Sequence, residues 1–108
     1  MTEQLILNPR DHRKAVGDRL RRAIDALGIS YVEAAAEMGI TKNHLGNWMR
    51  GAAYPLPYPL YRLCRIRGVT MDWVFLGDPS GLRAEVRKPL LEQELEQVGP
   101  SAPARPAA

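Results

Sequence analysis

Ile29-Ser-Tyr-Val-Glu-Ala-Ala-Ala-Glu-Met-Gly-Ile-Thr-Lys-Asn-His-Leu-Gly-Asn-Trp-Met-Arg-Gly51 decides the fold of this chain. It reads as helix, tight turn, helix. Ser30 offers an N-cap oxygen, and Glu33 completes a capping box three residues later. Ala34, Ala35 and Met38 give the first helix an apolar face, and Gly39 can take the positive φ that ends it. Thr41 caps the second helix. There Leu45, Trp48 and Met49 fall at i, i+3 and i+4, the spacing of a buried stripe, and Gly51 closes it. Lys42, Asn43 and Asn47 fall on the other faces. Two short helices at a sharp angle, the second polar and basic at its start, can set a helix in a DNA major groove.

Outward from this unit the pattern stays helical. Asn8-Pro9 places an N-cap before a first-turn proline, and Val16, Leu20, Ile24 and Leu27 follow at helical spacing up to Gly28. Gly17 costs a helix about 1 kcal/mol relative to Ala, so the firm part of this helix is expected to begin there. Downstream, Ala52–Pro59 carries three prolines and two tyrosines and reads as a stiff loop. Pro59 is expected to open a fourth helix with Leu60, Leu63 and Cys64 inward and Arg62, Arg65 and Arg67 on a solvated face. Thr70 caps a short fifth helix, Met71–Leu76, stopped by Gly77. Beyond the break at Asp78-Pro79-Ser80-Gly81, two weak helical pieces are expected, Leu82–Arg87 and Leu90–Val98, split by Pro89. Leu91, Leu95 and Val98 line one face of the second, which is too short to be stable alone in water. The expected organisation is a flexible arm over 1–10, a helix-turn-helix domain over 11–77, an extension over 78–98 for dimerisation or a partner, and a disordered Pro/Ala tail over 99–108. No strand pattern and no internal repeat is present.

The chain has 108 residues, which suits one domain with tails, and its 45% hydrophobic content can supply a core. Its net charge is +3 and its pI about 9.4. Residues 1–30 hold six basic and four acidic side chains, residues 31–77 five and three, and residues 78–108 four and five. Between Glu37 and Asp72 there are five Lys/Arg and no acid. A basic surface on the first 77 residues favours an anionic partner such as nucleic acid. The lone Cys64 cannot form an intrachain disulfide, no signal peptide opens the chain, and no apolar run approaches the roughly 20 residues that span a bilayer. A soluble, cytoplasmic protein with no membrane contact is expected. His12, His44 and Cys64 lack metal-ligand spacing, so no cofactor is expected, and His12 reads as a surface residue. No nucleophile, paired carboxylate or phosphate-binding glycine loop is recognisable, which points away from an enzyme.

Several of these residues recur in a known pattern. Leu27-Gly28-Ile29-Ser30, Ala35 three residues before Met38-Gly39-Ile40-Thr41, Leu45, Trp48 and Arg50-Gly51 are followed by Leu63, Gly68-Val69-Thr70-Met71-Asp72-Trp73 and Gly77. On these, residues from about 17 to 77 resemble the helix-turn-helix family of the lambdoid phage repressors and the xenobiotic-response-element-type bacterial regulators. The resemblance implies an all-α, five-helix lambda-repressor-like bundle, here with a weakly helical C-terminal extension. It implies a sequence-specific transcriptional regulator of bacterial or phage origin that binds double-stranded DNA as a homodimer, with Thr41–Arg50 as its recognition helix. By the same resemblance, Lys42, Asn43 and Asn47 contact bases, while Ser30, Tyr31, Thr41 and Arg50 contact the sugar-phosphate backbone. His44 and Tyr54 join the backbone set, with a plain surface histidine and packing of the loop as their alternatives.

The chain departs from the family pattern at Tyr31, where Gln is frequent, at Gly46 inside the recognition helix, at Met49 for a frequent Glu, and at Arg67 for an apolar residue. A second reading, of another class, is a protein-interaction module, antitoxin-like or an assembly factor, whose 82–98 segment binds a protein partner.

Overall fold

The computed structural model describes residues 6–98, and among these every regular element is helical. In chain order they are α1 (Pro9–Leu27), α2 (Tyr31–Met38), α3 (Lys42–Met49), α4 (Pro57–Arg67), a π-helical turn (Asp72–Leu76) and α5 (Ala84–Val98). The all-α bundle expected from the sequence is the fold observed. Among the described residues no helix is long and apolar enough to cross a membrane. Residues 1–5 of the expected arm and the expected tail lie outside the described residues.

Local chemistry sets most helix starts. Asn8 Oδ1 accepts the Asp11 N–H at 2.8 Å, Ser30 Oγ that of Glu33 at 3.0 Å, Thr41 Oγ1 that of His44 at 3.1 Å, and Thr70 Oγ1 that of Trp73 at 3.0 Å. α4 departs from this rule and from expectation. It begins at Pro57, a turn-fraction before Pro59, and its cap residue Leu56 makes no side-chain bond. The two prolines explain both facts. They carry no N–H, so of the first three helical residues only Tyr58 has a donor to satisfy, and a polar cap has little left to do.

One core joins all the elements. Val16, Leu20, Ala23 and Ile24 of α1 meet Ala34, Ala35 and Met38 of α2, Leu45 and Trp48 of α3, Leu60 and Leu63 of α4, and Trp73 and Val74 of the π turn. Leu82, Val86 and Leu90 complete the same cluster. The extension therefore corrects the expectation of two weak pieces: α5 is a single helix running through Pro89. An interior proline costs about 3 kcal/mol. Val86 and Leu90, fully or nearly fully buried on either side of it, return about 1.5–3 kcal/mol each, enough to hold the helix together. An Arg22–Glu94 ion pair at 2.8 Å ties its later turns to α1. Leu91 and Leu95 remain exposed, while the side chain of Val98 lies outside the described residues.

Candidate nucleic-acid interface

α2 and α3 are the two consecutive short helices read from the sequence. Gly39, at φ 78°, makes the turn, and the Ile40 N–H donates to the Ala35 carbonyl at 3.0 Å. With Leu45 and Trp48 buried, the opposite side of α3 faces outward. Lys42, Asn43, His44 and Asn47 are all exposed on it, with Thr41 before them and Arg50 after. Two contacts hold this set together. Asn47 Oδ1 accepts from the Arg50 guanidinium, and His44 Nδ1 lies 3.2 Å from Thr41 Oγ1. Gly46 faces little of its own protein: a Cβ there would meet only the tip of Arg50, at 3.2 Å. Nothing in the fold demands glycine at this position.

The two tyrosines among the expected backbone contacts are differently placed. Tyr31 is half-buried and its hydroxyl donates to Asp25 Oδ1 at 2.9 Å. Burial, and then Asp25, push its pKa up. Asp25 also pairs with Arg21, which is itself hydrogen-bonded to Asp18. The Tyr54 hydroxyl is bonded to His12 Nδ1 at 2.8 Å. Both phenols are thus held by the protein's own side chains.

Three residues of α1 meet the end of α3, a contact that the sequence did not reveal. Gly17 does not mark a weak start, because α1 passes through it unbroken. It is buried against the end of α3, where a Cβ would lie 2.3 Å from the Trp48 carbonyl oxygen and 2.7 Å from that of Met49. One turn earlier, Arg13 Nε donates to the Gly51 carbonyl at 3.3 Å, and the backbone of Lys14 packs against Gly51, leaving the Lys14 side chain exposed beside the end of α3. The signal was present as Arg13-Lys14 and Gly17 at helical spacing, but nothing local says what they face.

His12 is likewise half-buried rather than on the surface. Its Nε2 lies 3.0 Å from the Phe75 carbonyl, which can only accept. The ring N–H on this side is therefore at Nε2, and the Tyr54 hydroxyl is the partner of Nδ1. Through this ring the loop after α3 is fixed to the π turn.

The arginines of α4 correct a further expectation. Arg62 Nε donates to the Glu37 carbonyl at 2.7 Å, satisfying an end of α2. Arg67 grips both Glu37 oxygens, one of them at 2.8 Å, and lies 3.6 Å from Glu33. Its hydrogen bond holds the Glu37 carboxyl below the usual carboxylate range. Of the three, Arg65 alone is fully exposed. The window that is free of acids along the chain is therefore not free of them in space. Lys42 and Arg50 of α3, Lys14 of α1 and Arg65 of α4 are exposed and form no ion pair among the described residues.

Cys64 is half-buried, and burial pushes its thiol up to about 11, which leaves it largely protonated and unreactive at neutral pH. Among the described residues no group of three or more His, Cys, Asp or Glu is arranged to hold a metal.

Compared with known proteins, the sequence model of a family described as Helix-turn-helix matches residues 20–74. That span runs from the core of α1 into the π turn and covers α2 and α3 entirely. No curated protein and no solved structure gives a match.

Proposed function

The chain belongs to the helix-turn-helix family of the lambda-repressor and xenobiotic-response-element type, a family of DNA-binding regulators, and from that premise we propose that it inserts α3 into the major groove of a specific duplex and acts there as a homodimeric transcriptional regulator. The observation that carries this reading is the exposed polar side of α3, Lys42, Asn43 and Asn47, on a helix anchored by Leu45, Trp48 and the close contact with Gly17. Base readout needs donors held at fixed positions, and a helix pinned along its inner side provides them.

In this reading Lys42 donates to guanine O6 or N7, and Asn43 and Asn47 pair with adenine N6 and N7. The N-terminal N–H groups and dipole ends of α2 and α3, beside Ser30 and Thr41, receive phosphates, with His44, Arg50 and Lys14 supplying further polar or charged contacts. Tyr31 and Tyr54 act by positioning, since their hydroxyls are taken up by Asp25 and His12. One recognition helix reads only a few base pairs, so a symmetric dimer on half-sites about 34 Å apart supplies the discrimination.

The test is selection of bound fragments from a random duplex pool, followed by affinity measurements on the selected site and on random DNA across salt concentrations. A steep salt dependence with a preferred site supports the reading. A shallow dependence with no preferred site overturns it.

A further inference from the structure

α5 has two sides of different character. Its inner side is tied down, with Val86 and Leu90 in the core, Glu94 paired to Arg22 at 2.8 Å, and Gln93 Nε2 donating to the Arg22 carbonyl at 3.4 Å. On its outer side Leu91 and Leu95, one helical turn apart, are 46% and 68% exposed. Glu92 and Glu96 stand beside them, also a turn apart and exposed, and neither forms an ion pair among the described residues. Three local preferences are broken at once. Like charges at i and i+4 on a helix repel. Acids near the C-terminal end of a helix oppose its dipole, and from Pro89 to Val98 there are three acids and no cation. Two bare leucines leave an apolar stripe in water. Among the described residues no contact of the fold recovers these costs. Local rules broken without a gain in a protein's own packing are expected where a function is served.

We propose that this face docks a cationic amphipathic helix of another protein, whose apolar side covers Leu91 and Leu95 and whose lysines or arginines meet Glu92, Glu96 and the carbonyl end of α5. Charge selects this occupant. A DNA duplex and an anionic membrane are both repelled by the two free carboxylates. A second α5 is disfavoured, because Glu92 and Glu96 of the two copies would confront each other across the leucines. A cationic helix instead reverses each local cost: it pairs the two carboxylates, complements the helix dipole and covers the leucines. Burial of the leucines supplies the driving force, while the carboxylates decide which partners are accepted. The two cations of α5, Arg87 and Lys88, precede Leu91 at the other end of the stripe. The accepted helix therefore carries its cations toward the C-terminal end of α5. None of the four residues takes part in the DNA contacts proposed above, so partner docking and DNA recognition can each fail alone.

The test titrates the full chain, by fluorescence anisotropy, into a labelled helical peptide made of leucine and lysine and into its leucine–glutamate counterpart. The chain carries a net charge of +3, so a cationic peptide meets no general attraction to it. The lysine peptide is expected to bind and the glutamate peptide not to. Affinity should fall more than about tenfold in Glu96→Lys and also in Leu91→Ser/Leu95→Ser, the second variant showing that apolar contact is needed as well as charge. Thermal melts supply a readout that a structural role would not give. Glu96→Lys should melt at or above the wild-type temperature, because it turns the Glu92–Glu96 repulsion into an attraction in the favoured order and puts a cation near the end of the helix. Absence of binding by the wild type, or equal binding by the wild type and either variant, overturns the proposal. So does a Glu96→Lys protein that melts below the wild type, which would make the acid a structural residue. A wild-type dimer that comes apart in Leu91→Ser/Leu95→Ser overturns it too, because a second copy would then be the occupant.

Discussion

Gly17 of α1 lies so close to Trp48 of α3 that a Cβ on the glycine would fall 2.3 Å from the Trp48 carbonyl oxygen. The long first helix is therefore a rail against which the end of the recognition helix is registered. Backbone carbonyls cannot rotate away as a side-chain tip can, so the register tolerates little change in volume.

Gly17→Ala should accordingly destabilise the fold by about 1–3 kcal/mol, although alanine is the better helix former. Equilibrium urea denaturation measures the loss directly. Stability equal to or above the wild type would mean that α1 and α3 are not in register by this contact.

Gly46→Ala should behave in the opposite way. Its Cβ meets only the tip of Arg50, so the helix gains up to about 1 kcal/mol from propensity alone. If α3 lies in the groove near this position, the more stable protein should nevertheless bind the selected duplex more weakly. A variant both more stable and equally tight on DNA would place Gly46 away from the nucleic acid.

Asn43→Ala and Asn47→Ala should each cost about 1–3 kcal/mol on the selected site and relax preference at one base pair. Arg50→Ala should weaken all duplexes alike. Because Asn47 Oδ1 accepts from Arg50 in the free protein, the Asn47 and Arg50 substitutions should combine non-additively. Repeating the selection with each variant decides the matter, and an unchanged motif from both asparagine variants would show that the assigned face of α3 is wrong.

Asp25→Asn keeps an acceptor for the Tyr31 hydroxyl but removes a charge from the Asp18–Arg21–Asp25 group beside the start of α2. Affinity should rise for every duplex, with a salt slope steeper by roughly one contact and the preferred motif unchanged. An unchanged slope would mean that this group lies too far from the phosphates to matter.

Truncation after Gly77 removes Leu82, Val86 and Leu90, all buried in the common core. The shortened chain should unfold at lower denaturant and with a smaller m-value than the full chain. Unaltered stability would show that α5 adds nothing to the bundle.

Much of this protein was determined by its sequence locally. The caps at Asn8, Ser30 and Thr41, and the Leu45–Trp48 stripe, act over three or four residues, so their chemistry reads directly as helix starts and an inward face. Once those are placed, the outward residues of α3 follow by geometry. What tertiary structure alone decided are the contacts made across the chain. Gly17 looked like a propensity defect until Trp48 was brought against it. His12 looked like a surface residue, yet it is bonded to partners 42 and 63 positions away. Arg67 looked like part of a free basic face, yet its charge is met by Glu37 from a different helix. Pro89 looked like a break, and the burial of Val86 and Leu90 outweighed it. At Gly17 and Pro89 the local preference was real but worth only about 1–3 kcal/mol, and packing against a distant element supplied as much or more; at His12 and Arg67 the partner lies on another element, which no local pattern specifies.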